Sequence, residues 1–413
     1  MNMTILEPSR ELPVTGKFDV IVVGGGVAGV AAAVAAARNG VSVCLLDKQS
    51  ALGGLATLGN VTMWLPICDG RGRQVIGGLG EELLKLSVAD LIRNNDSAYF
   101  KGIPECWRQG GKVEERKKAR YESCFNPASY MMALEKLVVD SGVKLLYDTR
   151  FCAIQREGRR ITHVIVENKS GRFAIACGVV VDATGDADVC FVAGEATESL
   201  DSNVFAGWFY TFTADELKLN FHSNKYCSLG TREGGRAPFF RGDDGDQVTG
   251  HILKTRETLR SAMETLRAAH PDKDVQLVMP ATIACFRMTR RLIGAFSLGE
   301  KHLHQWFDDA IGFTGDWRKS GPVYALPFRS LCGVHTDNLL AAGRCLSADT
   351  TAWDVTRAIP PCAVSGEAAG TAAALAARQT TTDVHALDVR ILQKKLQGQG
   401  VLLDPFIVKE IHE

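Results

Sequence analysis

The residues with the clearest chemical meaning are three glycines and an acid near the start of the chain. Gly24, Gly26 and Gly29 have the spacing G-x-G-x-x-G, and Asp47 follows about twenty residues later. Glycines so spaced allow a tight turn, a close approach of the backbone to a pyrophosphate, and close helix–strand packing, while the acid can accept hydrogen bonds from ribose hydroxyls. The spacing therefore predicts a dinucleotide site. The rest of its loop is Gly25, Val27 and Ala28, and Lys48 follows the acid.

Two strands and a helix must position these residues. Residues 18–23 are a β-branched run typical of a buried strand, residues 27–39 are an alanine-rich helix that Gly40 can end, and residues 41–46 are a second apolar strand. In such a β-α-β unit the helix N-terminus offers unpaired N–H groups and a positive dipole to phosphates. A merely structural glycine turn is the alternative. The apolar window 18–37 is long enough for a membrane span, but its glycines favour the strand-loop-helix interpretation.

Further segments of small residues follow later strands. They are Ser50–Thr57, Ala183-Thr184-Gly185 after residues 178–182, Gly343-Arg344 after residues 338–342, and Gly366-Glu367-Ala368-Ala369-Gly370. With these motifs the chain resembles the FAD-dependent oxidoreductases that have a glutathione-reductase-type FAD domain. Within that group it is most similar to a family named simply FAD-dependent oxidoreductase, related to the fumarate reductase and succinate dehydrogenase flavoproteins. The resemblance covers nearly the whole chain and includes residues 289–294, 324–329, 342–347 and 392–396.

The resemblance implies an α/β, Rossmann-like FAD-binding fold with an inserted α+β substrate or cap domain, and FAD as cofactor. Gly53 and Gly54 would lie near the ribityl chain and isoalloxazine, and a helix starting near Gly366 would direct its N–H groups at the flavin pyrimidine. A plain packing helix is the alternative for that last segment. Where relatives often carry an acid, this chain has Arg344. The full set of expected FAD-binding residues also includes Leu55, Ala56, Thr57, Phe151 (through its backbone, at adenine), Ala183, Thr184, Gly185, Gly343, Ala368, Ala369 and Gly370.

Three side chains are candidates for the reaction itself. A flavin enzyme needs a substrate held close to N5 and a proton donor or acceptor opposite. Arg290, in a cluster with Arg287 and Arg291, could clamp a carboxylate, although it could equally pair with Glu300, Asp308 or Asp309. Arg357 matches an arginine found after the third flavin motif in similar sequences and could contact flavin or substrate. Tyr324 is either a proton relay or a core tyrosine. Residues 348–351 lack the histidine that many relatives have there.

Composition narrows the function further. The chain has 413 residues, no net formal charge and 46% hydrophobic residues, which excludes a disordered chain and argues against a general nucleic-acid surface. Its 12 cysteines include no Cys-x-x-Cys pair, and its 9 histidines have no ligand spacing, so we expect no metal site. Dispersed thiols and a polar N-terminus without a signal-peptide core favour a cytoplasmic protein without a membrane span.

The expected domains are residues 1–197 and 331–382 for FAD, 198–330 for the cap, and 383–413 for a helical tail. We found no second dinucleotide motif, so the electron partner is unidentified. The predicted function is hydride transfer between a small organic substrate and flavin N5. The alternatives are an ene-reductase of fumarate-reductase type that uses external electrons, a non-catalytic flavin-binding redox module and, more weakly, an NAD-only enzyme. The direction of the reaction, a covalent flavin link and a homo-oligomeric state stay open.

Overall fold

The computed structural model describes residues 4–92, 102–201, 203–204, 206–213, 216–221 and 239–410. The strands in this part of the chain are β1 (Val14–Val23), β2 (Val43–Leu46), β3 (Met63–Trp64), β4 (Ser123–Cys124), β5 (Lys144–Leu146), β6 (Arg150–Glu157), β7 (Arg160–Asn168), β8 (Gly171–Asp182), β9 (Thr197–Ser199), β10 (Asn203–Val204), β11 (Phe209–Thr213), β12 (Glu216–Asn220), β13 (Phe239–Phe240), β14 (Gln276–Pro280), β15 (Arg290–Leu292), β16 (Ala310–Gly315), β17 (Val323–Pro327) and β18 (Leu339–Ala341). The α-helices are α1 (Val27–Arg38), α2 (Gly78–Ser87), α3 (Pro127–Asp140), α4 (Asp188–Val192), α5 (Gly245–Ala269), α6 (Thr350–Thr356), α7 (Ile359–Ala377) and α8 (Val389–Gly398).

The largest sheet has the strand order β5-β2-β1-β8-β7-β6, and β18 pairs with the end of β8. Strands β5, β2, β1, β8 and β18 are parallel, so their carboxyl ends meet at one edge. The apolar runs of β1, β2, β8 and β18 are buried on both faces, as parallel strands covered by helices must be, whereas the edge strand β5 is partly exposed. This arrangement confirms the predicted α/β, Rossmann-like fold and places the loops after β1, β2, β8 and β18 together.

Helices α1 and α7 cross at backbone contact beside this sheet. A Cβ added to Gly366 would lie 2.2 Å from the carbonyl oxygen of Ala28, and one on Gly370 would lie 2.0 Å from that of Ala32. The prediction that a helix starts near Gly366 is therefore wrong: α7 begins at Ile359, and Gly366 lies in its interior. Two prolines at the helix start, which lack N–H groups that would be unsatisfied there anyway, mark the true N-terminus. The packing alternative explains both glycines.

Most of the smaller elements form where the sequence indicates them. The pair Asn126-Pro127 predicts a helix start with Asn126 as its cap, and the Asn126 side chain does accept a hydrogen bond from the Ala128 N–H (3.1 Å) and cap α3. Residues 151–156 and 161–167, with a turn at 157–160, are predicted to form a hairpin, and strands β6 and β7 form it. The sequence predicts an amphipathic helix from Glu81 to about Leu91, and α2 begins three and ends four residues earlier. It also predicts a tail helix from His385 to Leu396, and α8 begins four residues later, after a 3₁₀ turn. The composition also predicts a Gly/Asp-rich loop from Gly230 to Gly245, either a lid or a surface excursion. Its part up to residue 238 lies outside the described residues, and its last part contains β13 and the first residue of α5.

A separate layer covers the carboxyl edge of the large sheet. It consists of the antiparallel sheet β12-β11-β14 and the long helix α5. Phe209 of the sheet packs against Leu259 and Met263 of the helix. None of the helices in the described ranges has the length and the apolar composition that crossing a bilayer requires. The layer brings the start of α5 and residues 282–286 opposite the loops of the large sheet.

Candidate functional site

A cleft of about 440 Å³ lies at the carboxyl edge of the large sheet, between its loops and the covering layer. The loops contribute one wall, and the start of α5 with residues 282–286 contributes the other. The predicted residues that line it are Gly24, Gly26, Val27, Ala28, Asp47, Lys48, Gly53, Gly54, Leu55, Ala56, Ala183, Thr184, Gly185, Arg344 and Arg357. Residues from segments far apart in the sequence thus meet around one space.

The first loop is shaped by its glycines. Gly24 has a φ of 104°, in the region that favours glycine, and a Cβ there would lie 2.4 Å from the carbonyl oxygen of Ala183. A Cβ on Gly29 would lie 1.7 Å from the carbonyl oxygen of Gly24, so only glycine lets α1 pack this close to the loop. At Gly26 a Cβ would meet no atom within 4 Å, because it would point into the cleft. The middle glycine therefore leaves room for a ligand.

Asp47 at the end of β2 holds this loop in place. Its carboxylate accepts hydrogen bonds from the Gly25 N–H (2.5 Å) and the Gln49 N–H (2.6 Å). Burial raises the pKa of Asp47, and the two backbone donors oppose that shift. Asp47 lines the cleft beside the exposed Lys48. The acid thus shapes the loop and also faces the ligand space.

The second loop lies against the first through backbone hydrogen bonds. The Gly53 N–H donates to the Gly25 carbonyl (2.8 Å), and Gly53 and Gly26 form an isolated parallel bridge. Gly53 and Gly54 have φ values of 99° and 55°, which side-chain-bearing residues rarely adopt. The two glycines let the chain turn along the cleft without side chains filling it.

Arg344 joins both walls of the cleft. Its Nε donates to the Gly185 carbonyl (2.6 Å), its Nη2 pairs with Asp186 (2.9 Å), and its Nη1 donates to the carbonyl of Phe286 in the covering layer. The thiol of Cys345 accepts the Gly185 N–H (3.1 Å) and supports the same turn. Arg344 thus holds the turn after β8 against the opposite wall.

Charge also fits the expected cofactor. Six of the described lining residues are charged, and the four cations among them outnumber the two carboxylates, which suits the negative charge of a dinucleotide pyrophosphate. They are Lys48, Arg150, Arg344, Arg357, Asp47 and Asp186. The open space at Gly26, at the N-terminus of α1, adds a place for phosphate oxygens. The residues present therefore fit FAD.

The structure separates the three candidates for the reaction. Arg357 lines the cleft. Arg290 does not: β15 pairs with β9, and the Arg290 guanidinium contacts Asp188 (2.7 Å) and covers the ring of Phe191 at 4.2 Å. Its partner is thus a carboxylate other than the three considered from the sequence. Tyr324 lies buried in β17, away from the cleft, and burial with the nearby Asp316 raises its pKa to about 12.

Several expected cofactor residues do not line the cleft. They are Gly25, Gly29, Thr57, Phe151, Gly343, Gly366, Ala368, Ala369 and Gly370. Most of them serve packing: a Cβ on Gly343, for example, would lie 2.6 Å from the Cβ of Ala28. Side chains alternate along β6, and Arg150 rather than Phe151 lines the cleft. These residues position the lining ones.

Sequence reasoning missed most of the opposite wall. The missed lining residues are Gln49, Arg150, Asp186, Gly242, Val248, Ile252, Thr282, Ile283, Ala284, Phe286, Ala342, Ile359 and Cys362. They are mostly single apolar side chains without a motif, so no local signal could have identified them. A group of potential metal ligands in the described chain, Asp337, Asp383 and His385, lies elsewhere, and Asp337 pairs with Arg159 there (2.7 Å).

Comparisons with known proteins identify relatives over parts of the chain. The soluble pyridine nucleotide transhydrogenase of Chromohalobacter salexigens is 33% identical over 103 residues, which are 25% of this chain and 19% of that protein. The thioredoxin reductase of Ureaplasma parvum serovar 3 is 33% identical over 84 residues, 20% of this chain and 27% of that protein. The chain thus spans between about a fifth and about a quarter of these relatives' lengths.

Among solved structures, the chain is similar to a geranylgeranyl bacteriochlorophyll reductase-like protein from Thermoplasma acidophilum, with 12% identity and a TM-score of 0.48 over 94% of this chain and 84% of that one. It is also similar to the open conformation of a flavocytochrome c3 fumarate reductase, with 16% identity and a TM-score of 0.44 over 89% and 79%. A family model described as FAD dependent oxidoreductase matches residues 19–204 and 198–396, nearly the whole chain.

Proposed function

The chain belongs to the FAD dependent oxidoreductase family, and from that premise we propose that it transfers a hydride between a small organic substrate and N5 of FAD. It is an enzyme with FAD as its cofactor. Bound FAD supplies the redox chemistry, because its isoalloxazine accepts and releases a hydride. The protein's part is to hold the substrate beside it and to exclude water.

The observation that carries the proposal is the cleft with two unlike walls. In the proposal, the loops around Gly26, Asp47 and Gly53 hold the phosphates, ribose and ribityl chain of FAD. The space at Gly26 and the surplus positive charge of the lining residues support this orientation. The adenosine end then lies near Lys48 and Arg150, and the flavin end lies toward Arg344 and Arg357.

The opposite wall then faces the reacting end of the flavin. Val248, Ile252 and Phe286 are apolar lining residues that would exclude water from the reaction. Arg357 is the lining residue that we assign to an anionic group of the substrate or to the flavin itself. In domain terms, we propose that residues 1–197 and 331–382 bind FAD, that residues 198–330 cover it, and that residues 383–413 form a tail.

We also propose that the enzyme works in a reducing compartment such as the cytoplasm, with an electron donor or acceptor of its own. The cysteines in the described ranges are all free thiols, which supports this setting.

The test is anaerobic mixing with a panel of small metabolites while the flavin spectrum is recorded. We expect at least one compound to bleach the oxidised flavin, or to restore its colour after photoreduction. The first outcome indicates a dehydrogenase and the second an ene-reductase. If photoreduction succeeds and no compound changes the spectrum, the proposal is wrong and the redox-module alternative gains support.

A matched pair of variants sharpens this test. Arg357→Gln should lower kcat/KM about tenfold or more with unchanged FAD content, because it removes an N–H fork from the cleft. Arg329→Gln changes an arginine that pairs with Asp309 outside the cleft and should leave turnover unchanged. Equal turnover in wild type and Arg357→Gln would remove Arg357 from the reaction.

A further inference from the structure

Arg357 follows the last residue of α6, and a carboxylate on the same short helix holds its guanidinium. Both Nε and Nη2 of Arg357 donate to Oδ1 of Asp354, at 3.1 Å and 2.5 Å. Asp354 is fully buried, with 0% exposure, whereas Arg357 reaches the cleft. The pair thus connects the protein interior with the cleft wall.

A second arginine fixes the same carboxylate from another part of the chain. Nη1 of Arg318, in the turn after β16, pairs with Oδ2 of Asp354 at 3.2 Å. The neighbouring Trp317 donates its indole N–H to the Asp354 carbonyl (3.0 Å). Arg318 is itself held by Asp316, whose two oxygens accept from Nε (2.9 Å) and Nη2 (2.8 Å). Asp354 is therefore restrained at its carboxylate and at its backbone.

The burial and the charge of Asp354 explain why its two guanidinium partners are held in fixed positions. A buried carboxylate is costly unless it is paired, so Asp354 requires its guanidinium partners. Arg318 and Asp316 satisfy each other with two parallel hydrogen bonds, which keeps Arg318 in place. The Arg357 guanidinium also lies over the ring of Trp317, with its carbon 5.9 Å from the ring centre. The Asp354 carboxylate thus holds one edge of the Arg357 guanidinium and the Trp317 ring lies against its face, and both contacts fix the guanidinium at the cleft.

We propose that Asp354 is a positioning residue, which acts on the reaction by fixing Arg357 at the cleft wall through the ladder Asp316–Arg318–Asp354–Arg357. This inference rests on the proposed function, because it needs Arg357 to face the flavin or the substrate. Asp354 itself does not line the cleft. Its effect must therefore pass through Arg357, and that requirement makes the proposal testable.

The experiment is a double-mutant cycle on the FAD-loaded enzyme with Asp354→Asn, Arg357→Gln and the double variant. Its main readout is the midpoint potential of the bound flavin, measured by dye-coupled photoreduction. Removing the Arg357 charge should make the potential more negative, because a nearby cation stabilises reduced flavin. If Asp354 positions Arg357, Asp354→Asn shifts the potential in the same direction, and the double variant shifts it no further than Arg357→Gln alone.

The sign of the shift in midpoint potential distinguishes positioning of Arg357 by Asp354 from a direct electrostatic effect of the Asp354 charge on the flavin. Deleting the Asp354 charge while Arg357 stays in place would make the potential more positive, and that result would overturn the proposal. Additive shifts in the double variant would do the same, since they indicate independent roles. If Arg357→Gln leaves both potential and turnover unchanged, the assignment of Arg357 in the proposed function fails first, and the positioning role fails with it.

Two further variants keep the test valid if Asp354→Asn folds poorly. Arg318→Gln retains the Asp354 carboxylate but removes its second partner, and we expect a smaller negative shift of the potential. Asp309→Asn removes a carboxylate that holds Arg329 by two bonds outside the cleft, and it should shift nothing. On a substrate found in the metabolite screen, Asp354→Asn should lower kcat/KM about tenfold to a hundredfold. An Arg318→Gln enzyme with unchanged potential and kinetics would contradict the ladder.

Discussion

The two walls of the cleft are built in different ways. The wall formed by the loops of the large sheet, where we propose that FAD binds, is mostly backbone: Gly26 and Gly53 lie in contact as a bridge, and the turn at Gly24 leaves no room for a side chain. The opposite wall is made of side chains, among them Val248 and Phe286. A backbone wall needs glycine at fixed positions, whereas an apolar wall accepts many residues of similar volume. The wall built from the loops therefore tolerates few residue types at its glycine positions. The apolar side chains of the opposite wall can vary, so that this wall can fit different substrates.

The strictest test of this difference is Gly26→Val. The new side chain would enter the space in front of the α1 N-terminus, where an added Cβ meets no atom within 4 Å. We expect a folded protein that has lost nearly all of its FAD, measured as the ratio of flavin absorbance to protein absorbance. Gly398→Val is the control, since a Cβ there also meets open space, at the end of α8. Wild-type FAD content in Gly26→Val would show that the first loop does not hold the pyrophosphate.

Arg344→Gln tests the connection between the walls. The substitution removes the ion pair with Asp186 and the bond to the Phe286 carbonyl. Breaking such a partly buried network should lower the free energy of unfolding by about 3 kcal/mol and weaken FAD binding. Chemical denaturation with and without FAD gives both quantities. If stability falls and the dissociation constant for FAD does not change, the connection serves folding alone.

Arg290→Met should affect stability and leave the cleft unchanged. The arginine pairs with Asp188 and donates through Nε to the Asp186 carbonyl (2.9 Å), and losing these bonds together with the contact to Phe191 should lower the free energy of unfolding by about 1–2 kcal/mol. The potential of the flavin and kcat/KM should equal those of wild type. A raised KM with normal stability would return Arg290 to the substrate site.

Glu367→Gln should have the smallest effect on the cleft. Glu367 is buried in α7 and accepts the Leu79 N–H (2.8 Å), and burial raises its pKa from 4.5 to about 8. The folded protein keeps this proton to about pH 8 while the unfolded chain releases it near pH 4.5, so the free energy of unfolding falls as pH rises across that window. Because glutamine has no proton to release, the free energy of unfolding of the variant should not fall across this window. At pH 8 it should exceed the free energy of unfolding of wild type by at least about 1.4 kcal/mol, the equivalent of one pKa unit.

Denaturation at pH 5 and pH 8, with FAD content recorded at both, provides the measurement. If the difference in free energy of unfolding between variant and wild type is the same at pH 5 and pH 8, Glu367 is ionised in the folded protein.

The contrast between the walls also explains what the sequence could predict. The fold and the first loop were predictable because backbone geometry requires Gly24 and Gly29, the open space at Gly26 requires the third glycine, and all three lie within six residues of the chain. Gly366 and Gly370 misled for the same reason: they mark a close crossing of α7 with α1, and glycines at a crossing look like glycines at a helix start. The prolines after Ile359 were the correct signal.

The reaction end could not be predicted in this way. Arg290 and Arg357 are indistinguishable as residue types, and only strand pairing directs the first away from the cleft. Arg318 and Asp354 are 36 residues apart, and only the tertiary fold brings them into contact. Side-chain constellations of this kind depend on long-range packing, which a single sequence does not display.

The most direct test of the account is the identity and amount of cofactor in the purified protein. Heat denaturation followed by chromatography of the released pigment should yield FAD, at about one per chain, or the apoprotein should take up FAD to that level on titration. A protein that is colourless as purified and does not quench the fluorescence of added FAD would contradict the assignment of the cleft.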